Sequence, residues 1–163
     1  MATIGQSLPN PEVGWRRYDD TDKRLRFVGN WGTWVNSGAY GGSATVSNNN
    51  TDYLTFKFKG TKLRIITDSF TEKAQNIKIT IDDTIVQYFS ERSSGLSMRL
   101  SYEILNLSND IHTVSIQATD IGVSGADNWN IDAIDIDDTG YLVHPILPVK
   151  SNIIDMQVGD AIA

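Results

Sequence analysis

Apolar and polar residues alternate along most of this chain with a period of two. Leu54, Phe56 and Phe58 alternate with Thr55 and Lys57, Leu63 and Ile65 with Lys62 and Arg64, and Ile77, Ile79 and Ile81 with Lys78 and Thr80. Met98, Leu100, Tyr102 and Ile104 repeat the pattern around Arg99, Ser101 and Glu103, and Val114, Ile116 and Ala118 share one face of a further run. Successive side chains of a strand point to opposite faces, so each run reads as a half-buried strand. Turn-forming residues separate the runs: three asparagines at 48–50, Gly60-Thr61, Asp82-Asp83 and Ser93-Ser94-Gly95. Asp82-Asp83 is spaced for a two-residue hairpin, leading into a strand over 85–89. No window carries the 3.6-residue period with caps that a helix requires. About eight short strands at hairpin spacing predict an all-β sandwich or barrel.

The same pattern divides the chain. Residues 1–14 read as an extended arm, held away from helix by Pro9 and Pro11. Residues 15–138 form the sandwich, 139–150 a linker carrying two prolines, and 151–163 a strand-like tail or the start of a following domain. One domain of this size buries a full core without staples.

Composition narrows the chemistry. With no cysteine among 163 residues, neither disulfides nor thiolate metal sites are available. The net charge of −6 argues against phosphate-backbone binding as the main task, so no nucleic-acid partner is expected. The local basic group Arg16, Arg17, Lys23, Arg24 and Arg26 is interleaved with Asp19, Asp20 and Asp22 and reads as a neutralised surface. The start has no basic segment followed by an apolar run, so no secretory signal is read there. Nothing approaches the ~20 apolar residues of a membrane-spanning helix.

Residues 30–42, N-W-G-T-W-V-N-S-G-A-Y-G-G, stand apart from the strands. Glycine bends the backbone where other residues resist, and tryptophan and tyrosine offer flat faces with one polar atom each. Two readings apply. Trp31 and Trp34 plug one end of the core, or Trp34 and Tyr40 form a platform for a flat, mostly uncharged ligand such as a sugar ring. Trp31, in register with Leu25 and Phe27, leans toward the core.

Four segments together resemble the jelly-roll carbohydrate-binding modules of the galactose-binding-like superfamily, family 6 and family 35 types in particular. They are Tyr18-Asp19-Asp20-Thr21-Asp22, then Gly29-Asn30-Trp31 with residues 38–43, then residues 107–114, and finally residues 130–136. The resemblance implies a two-sheet antiparallel sandwich that binds glycan in loops at one edge and performs no catalysis. Similar modules occur on polysaccharide-degrading enzymes and on bacteriophage tail and virion proteins, which must recognise a host surface. The expectation is a module that binds bacterial-surface or other polysaccharide as part of a virion or surface-targeting protein. The alternative is an assembly domain that forms homo-oligomers through its terminal segments.

In modules of that kind the site draws on the loop after the second strand and the loop before the last one. Here these are residues 30–42 and 122–130, and the second contains Asp127-Asn128-Trp129-Asn130. Aromatic faces suit the C–H side of a pyranose, and asparagine offers donor and acceptor from one group. The candidate ligand residues are therefore Trp34, Tyr40, Asn128 and Trp129, with Trp31 and Asn130 behind them. The competing readings are a core-capping role for Trp129 and turn formation for Asn128 and Asn130.

Asp132 shares a period-two face with Ile134 and Ile136, a costly place for an acid unless it is hydrogen-bonded or metal-bound. Related modules often hold a structural calcium there, with a glutamate from the first strand; this chain offers Asp19 and Asp20 instead. Calcium and a salt bridge from Asp132 to Arg16 or Arg17 are the two alternatives for satisfying it. Asp135, Asp137 and Asp138 read as an exposed face. Catalysis finds no support: His112 and His144 are not placed as bases, no nucleophile elbow is present, and the glutamates are scattered, so a glycoside hydrolase is the least favoured reading.

Overall fold

A computed structural model describes residues 1–145, and the fold is all-β. The strands are β1 (Trp15–Asp19), β2 (Arg26–Val28), β3 (Gly32–Val35), β4 (Ser43–Ser47), β5 (Tyr53–Gly60), β6 (Leu63–Ser69) and β7 (Ile77–Ile81). They continue with β8 (Ile85–Phe89), β9 (Leu96–Ile104), β10 (Asp110–Ala118), β11 (Trp129–Ile131), β12 (Ala133–Asp137) and β13 (Tyr141–Leu142). The alternating runs form strands as their pattern requires, with Leu54, Phe56 and Phe58, Ile77, Ile79 and Ile81, and Val114, Ile116 and Ala118 all buried. Asp82 and Asp83 both adopt positive φ, 54° and 57°, as the hairpin turn between β7 and β8 demands.

Two antiparallel sheets face each other. One has the order β1-β12-β6-β9, the other β13-β5-β10-β7-β8 with β2 also on β5. Leu54, Phe58, Leu63, Ile65, Ile79, Ile116, Ile134 and Ile136 fill the space between them. A smaller sheet, β11-β4-β3, closes one end.

The first sheet is also covered on its outer side. Residues 1–8 lie along the free edge of β9, with Gly5 N–H donating to the Leu100 carbonyl and Leu8 N–H to that of Met98. Ala2 and Leu8 pack there on Ile66, Leu100 and Ala133. Ile65 and Ile66 are thus adjacent in sequence and both fully buried, on opposite faces, with a register shift in the β6–β9 pairing between them. The arm is a docked part of the fold.

Three expectations are corrected. Asp135 and Asp137 are buried rather than exposed. Arg17 pairs with Asp135 in a two-pronged ion pair at 2.6 and 2.9 Å, not with Asp132; the chain leaves the strand geometry between β11 and β12, so the period that put Asp132 on the Ile134 face does not carry through. The span read as linker contains β13, which pairs with Lys59 and Phe58 of β5. The tail at 151–163 lies outside the described residues.

Candidate functional site

An open cleft of about 700 Å³ lies where the small sheet meets the first large one. Trp31 and Trp34 enter it from one side and Asp127 and Asn128 from the other, with Phe70, Glu72 and Lys73 from the loop after β6. The two loops proposed from sequence do converge, because β4 pairs with β3 on one edge and β11 on the other. Trp34 opposite Ala44 and Trp129 opposite Ser47 follow from that register.

The indole of Trp34 is half-buried and is steadied by Phe70, edge to face with centroids 5.8 Å apart, and by the Lys73 ammonium 5.5 Å from its centroid. Trp31 is the bridge between core and cleft. Its Nε1 donates to the Val28 carbonyl at 3.0 Å, and its ring meets Phe27 at 4.9 Å and Trp129 at 4.7 Å, both edge-on. Asn128 accepts at Oδ1 from Lys73 Nζ, while its Nδ2 donates to nothing among the described residues. The cleft therefore presents aromatic surface, a free amide donor, and an ammonium held by its neighbours.

The remaining candidates are placed elsewhere. Trp129 is fully buried beneath Trp31. Asn130 is fully buried as a cross-link: its Oδ1 accepts from Asp68 N–H, and its Nδ2 donates to the Asp68 carbonyl and to Glu91 Oε2. Neither offers a face to a ligand. Tyr40 is on the far side of the loop, with Arg17 5.3 Å above its ring, packed on the outer cluster of Leu8 and Ile66. Phe70 and Lys73 were missed from sequence. The polar loop that carries them has no periodicity, and only the fold brings it under Trp34.

A buried charge network supports the cleft floor. Burial pulls Lys73 below the usual lysine range, against the attraction of Glu91, Asp68 and Glu72. Burial likewise raises Asp68, and raises Glu91 well above the usual carboxylate range.

The second feature is a set of three acids. Asp19, Asp20 and Asp132 each bring a carboxylate oxygen within 4.8 Å of the others. One oxygen on each, Oδ1 in all three, is buried without a hydrogen-bond partner. The other oxygens are used: Asp20 Oδ2 accepts from Thr45, Asp132 Oδ2 from the Tyr40 backbone N–H at 3.0 Å, and Asp19 Oδ2 from Thr21. No lysine or arginine among the described residues pairs with them. Burial pushes Asp132 up to about 8 and Asp20 up to about 6, the neighbouring acids adding to both. Gly41 sits against the cluster at φ 68°, where a Cβ would come within 2.8 Å of Asp19 Oδ1. Three orphaned oxygens, hard in character and short of positive charge, fit a divalent cation such as calcium.

No protein-family model matches the sequence, and no curated protein matches it. The fold, in contrast, is similar to those of solved carbohydrate-binding modules. A family 35 module from Clostridium thermocellum superposes with a TM-score of 0.55 at 18% identity, over 75% of this chain and 98% of that one. A family 35 module from Cellvibrio japonicus gives 0.58 at 14% identity, over 78% and 96%. A family two carbohydrate esterase from Cellvibrio japonicus gives 0.59 at 15% identity over 82% of this chain, which spans only 36% of that enzyme's length. The likeness establishes a jelly-roll β-sandwich fold.

Proposed function

We propose that this domain is a non-catalytic carbohydrate-binding module whose ligand lies in the cleft between Trp31, Trp34 and Asn128. The observation that carries the reading is that two loops more than 80 residues apart in sequence meet across an open aromatic cleft. The Trp34 face packs against the C–H side of a sugar ring, and Asn128 Nδ2 and Lys73 donate to its hydroxyls. Support for a binding role comes also from the fold shared with modules solved as carbohydrate-binding domains.

Asp19, Asp20 and Asp132 would hold a structural calcium. Its charge would relieve three converging carboxylates and lock residues 36–42 through the Tyr40 N–H···Asp132 bond. Catalysis by the cleft carboxylates Glu72 and Asp127 is not part of the reading.

Binding of the full chain to a panel of plant and bacterial surface polysaccharides, with Trp34→Ala alongside, tests the proposal. Retention on at least one polysaccharide, weakened about tenfold or more by the substitution, is expected. A panel without binding, or binding indifferent to Trp34, overturns it. Preference for bacterial-surface glycans is the outcome that a virion or surface-targeting role requires.

A further inference from the structure

The edge of a β-sheet carries unpaired N–H and C=O groups, and folded chains ordinarily blunt it with charge, proline, brevity or cover. Most edges of the two large sheets are blunted in this way. β1 carries Arg16, Arg17 and Asp19, and β13 is two residues long. β2 has three residues, one of them Arg26, and β9 is covered by residues 5–8 of the arm. β8 has no such device. It ends the second sheet and pairs only with β7 among the described residues. Its sequence, Ile85-Val86-Gln87-Tyr88-Phe89, holds no charge, proline or glycine, and Val86 and Tyr88 are 48% and 54% exposed.

The direction of the free groups follows from the bonds at either end of β7. Asp82 N–H donates to the Thr113 carbonyl and Thr119 N–H to that of Asn76, so the even-numbered positions of this stretch face β10. The odd-numbered Ile77, Ile79 and Ile81 therefore bond to Phe89, Gln87 and Ile85. That leaves the N–H and C=O of Val86 and Tyr88 aimed at the free edge. A second β8, run antiparallel about a two-fold axis, meets these groups in matching order: Val86 against Tyr88 of the other copy, Tyr88 against Val86, and Gln87 against Gln87 on the axis. Each bonded pair exchanges two hydrogen bonds, and an aromatic side chain meets a β-branched one twice on the outer face. Charge agrees with this pairing. The strand brings no like charges together although the chain carries a net −6. The same alignment sets the Asp83 end of each strand beside the Ser90 end of the other. Arg99 is there, donating to the Ser90 carbonyl at 2.7 Å and forming no ion pair among the described residues.

We propose that β8 is a homodimer interface, where a second copy of this chain pairs through Val86–Tyr88 and joins the two second sheets into one. An unrelated extended peptide would use only the main-chain groups. The self-complementary order of those groups, the exposed Val86 and Tyr88 that meet each other, and an acid facing a guanidinium at both ends select a second copy instead. The contact is short, so the dimer is a weak one, with a Kd of about 10–100 µM. It uses neither terminal segment and does not touch the cleft at Trp34. A dimer carries two such clefts, and a ligand with repeated binding units would be held by both.

Sedimentation equilibrium of the full chain from about 1 to 500 µM, a range that brackets this Kd, tests the proposal. A monomer–dimer equilibrium is expected. Val86→Pro removes a free-edge N–H while leaving the bonds to β7 in place, and should weaken dimerisation about tenfold or more. Val86→Lys/Tyr88→Lys should do the same by setting like charges across the pair. Circular dichroism checks that both variants fold, and if the proline variant does not, the lysine variant decides. The chain has no cysteine, so Gln87→Cys supplies one thiol at the axis. Cα atoms of such a pair stand about 4.5 Å apart, within disulfide reach. In oxidised glutathione this variant should form a disulfide dimer at least about tenfold faster than Tyr141→Cys, an exposed position on the opposite edge of the sheet. A monomer across the whole range, a dimer indifferent to the β8 variants, or equal cross-linking at position 141 would overturn the assignment.

Discussion

At the scale of single residues, chemically similar side chains do different work according to depth. Trp34 has a face in the cleft, Trp31 shares its ring between cleft and core, and Trp129 is wholly inside. Trp129→Ala should therefore cost about 3–5 kcal/mol of stability by urea denaturation, and Trp34→Ala far less. His112 makes a second residue-scale prediction. Burial works against its charge, but Nδ1 faces Asp82 at 2.6 Å and Nε2 faces the Ser108 carbonyl at 2.7 Å, and these acceptors raise it above the usual histidine range. A raised pKa means that its stabilisation is full below about pH 6.5 and is lost as pH climbs through the folded value. The unfolding free energy should fall across that window above 6.5, and His112→Gln should flatten the slope. Arg17 and Asp135 form a buried pair, and breaking it with Asp135→Ala should cost about 3–5 kcal/mol, because the guanidinium is left uncompensated.

At the scale of elements, the loop between β3 and β4 links the two features of the site. Its start positions Trp34, and its end sends the Tyr40 N–H to Asp132 and Gly41 against Asp19. If calcium occupies the acid cluster, chelation should lower the melting temperature and added calcium restore it. A shift of about 5–10 °C is expected for a cation at a hundredfold excess over its dissociation constant. Asp132→Asn should abolish the calcium response, and a melting curve indifferent to chelator would remove the metal from the proposal. This loop looked like one aromatic platform in the sequence because glycine and aromatic composition do not say which way each ring turns. The β3–β4 register sets Trp34 opposite Ala44, while the turn beyond it carries Tyr40 to Asp132 and Arg17.

At the scale of the whole molecule, the two large sheets enclose one core, the small sheet closes its end, and the arm packs on a second cluster across the outer side of the first sheet. Calorimetry should show one cooperative transition with a heat-capacity change of about 2 kcal/mol/K for 145 residues. A separate low-temperature step would show that the arm unfolds on its own. The surface of this body has an aromatic cleft at one end.

The period-two pattern by itself determined the all-β class, most strand positions and the Asp82-Asp83 hairpin, because strand alternation and turn chemistry are local. That residues 30–42 and 122–130 would share one edge was implied only by the resemblance to known modules, not by the pattern itself. Tertiary structure alone decided what each candidate does. Burial removed Trp129 and Asn130 from the surface, since depth depends on what stacks above a strand and not on the strand itself. Folding brought Lys73 and Phe70 beneath Trp34 from a loop with no pattern. It also gathered Asp19, Asp20 and Asp132 around one point, because β1 and β12 lie side by side only in the folded sheet.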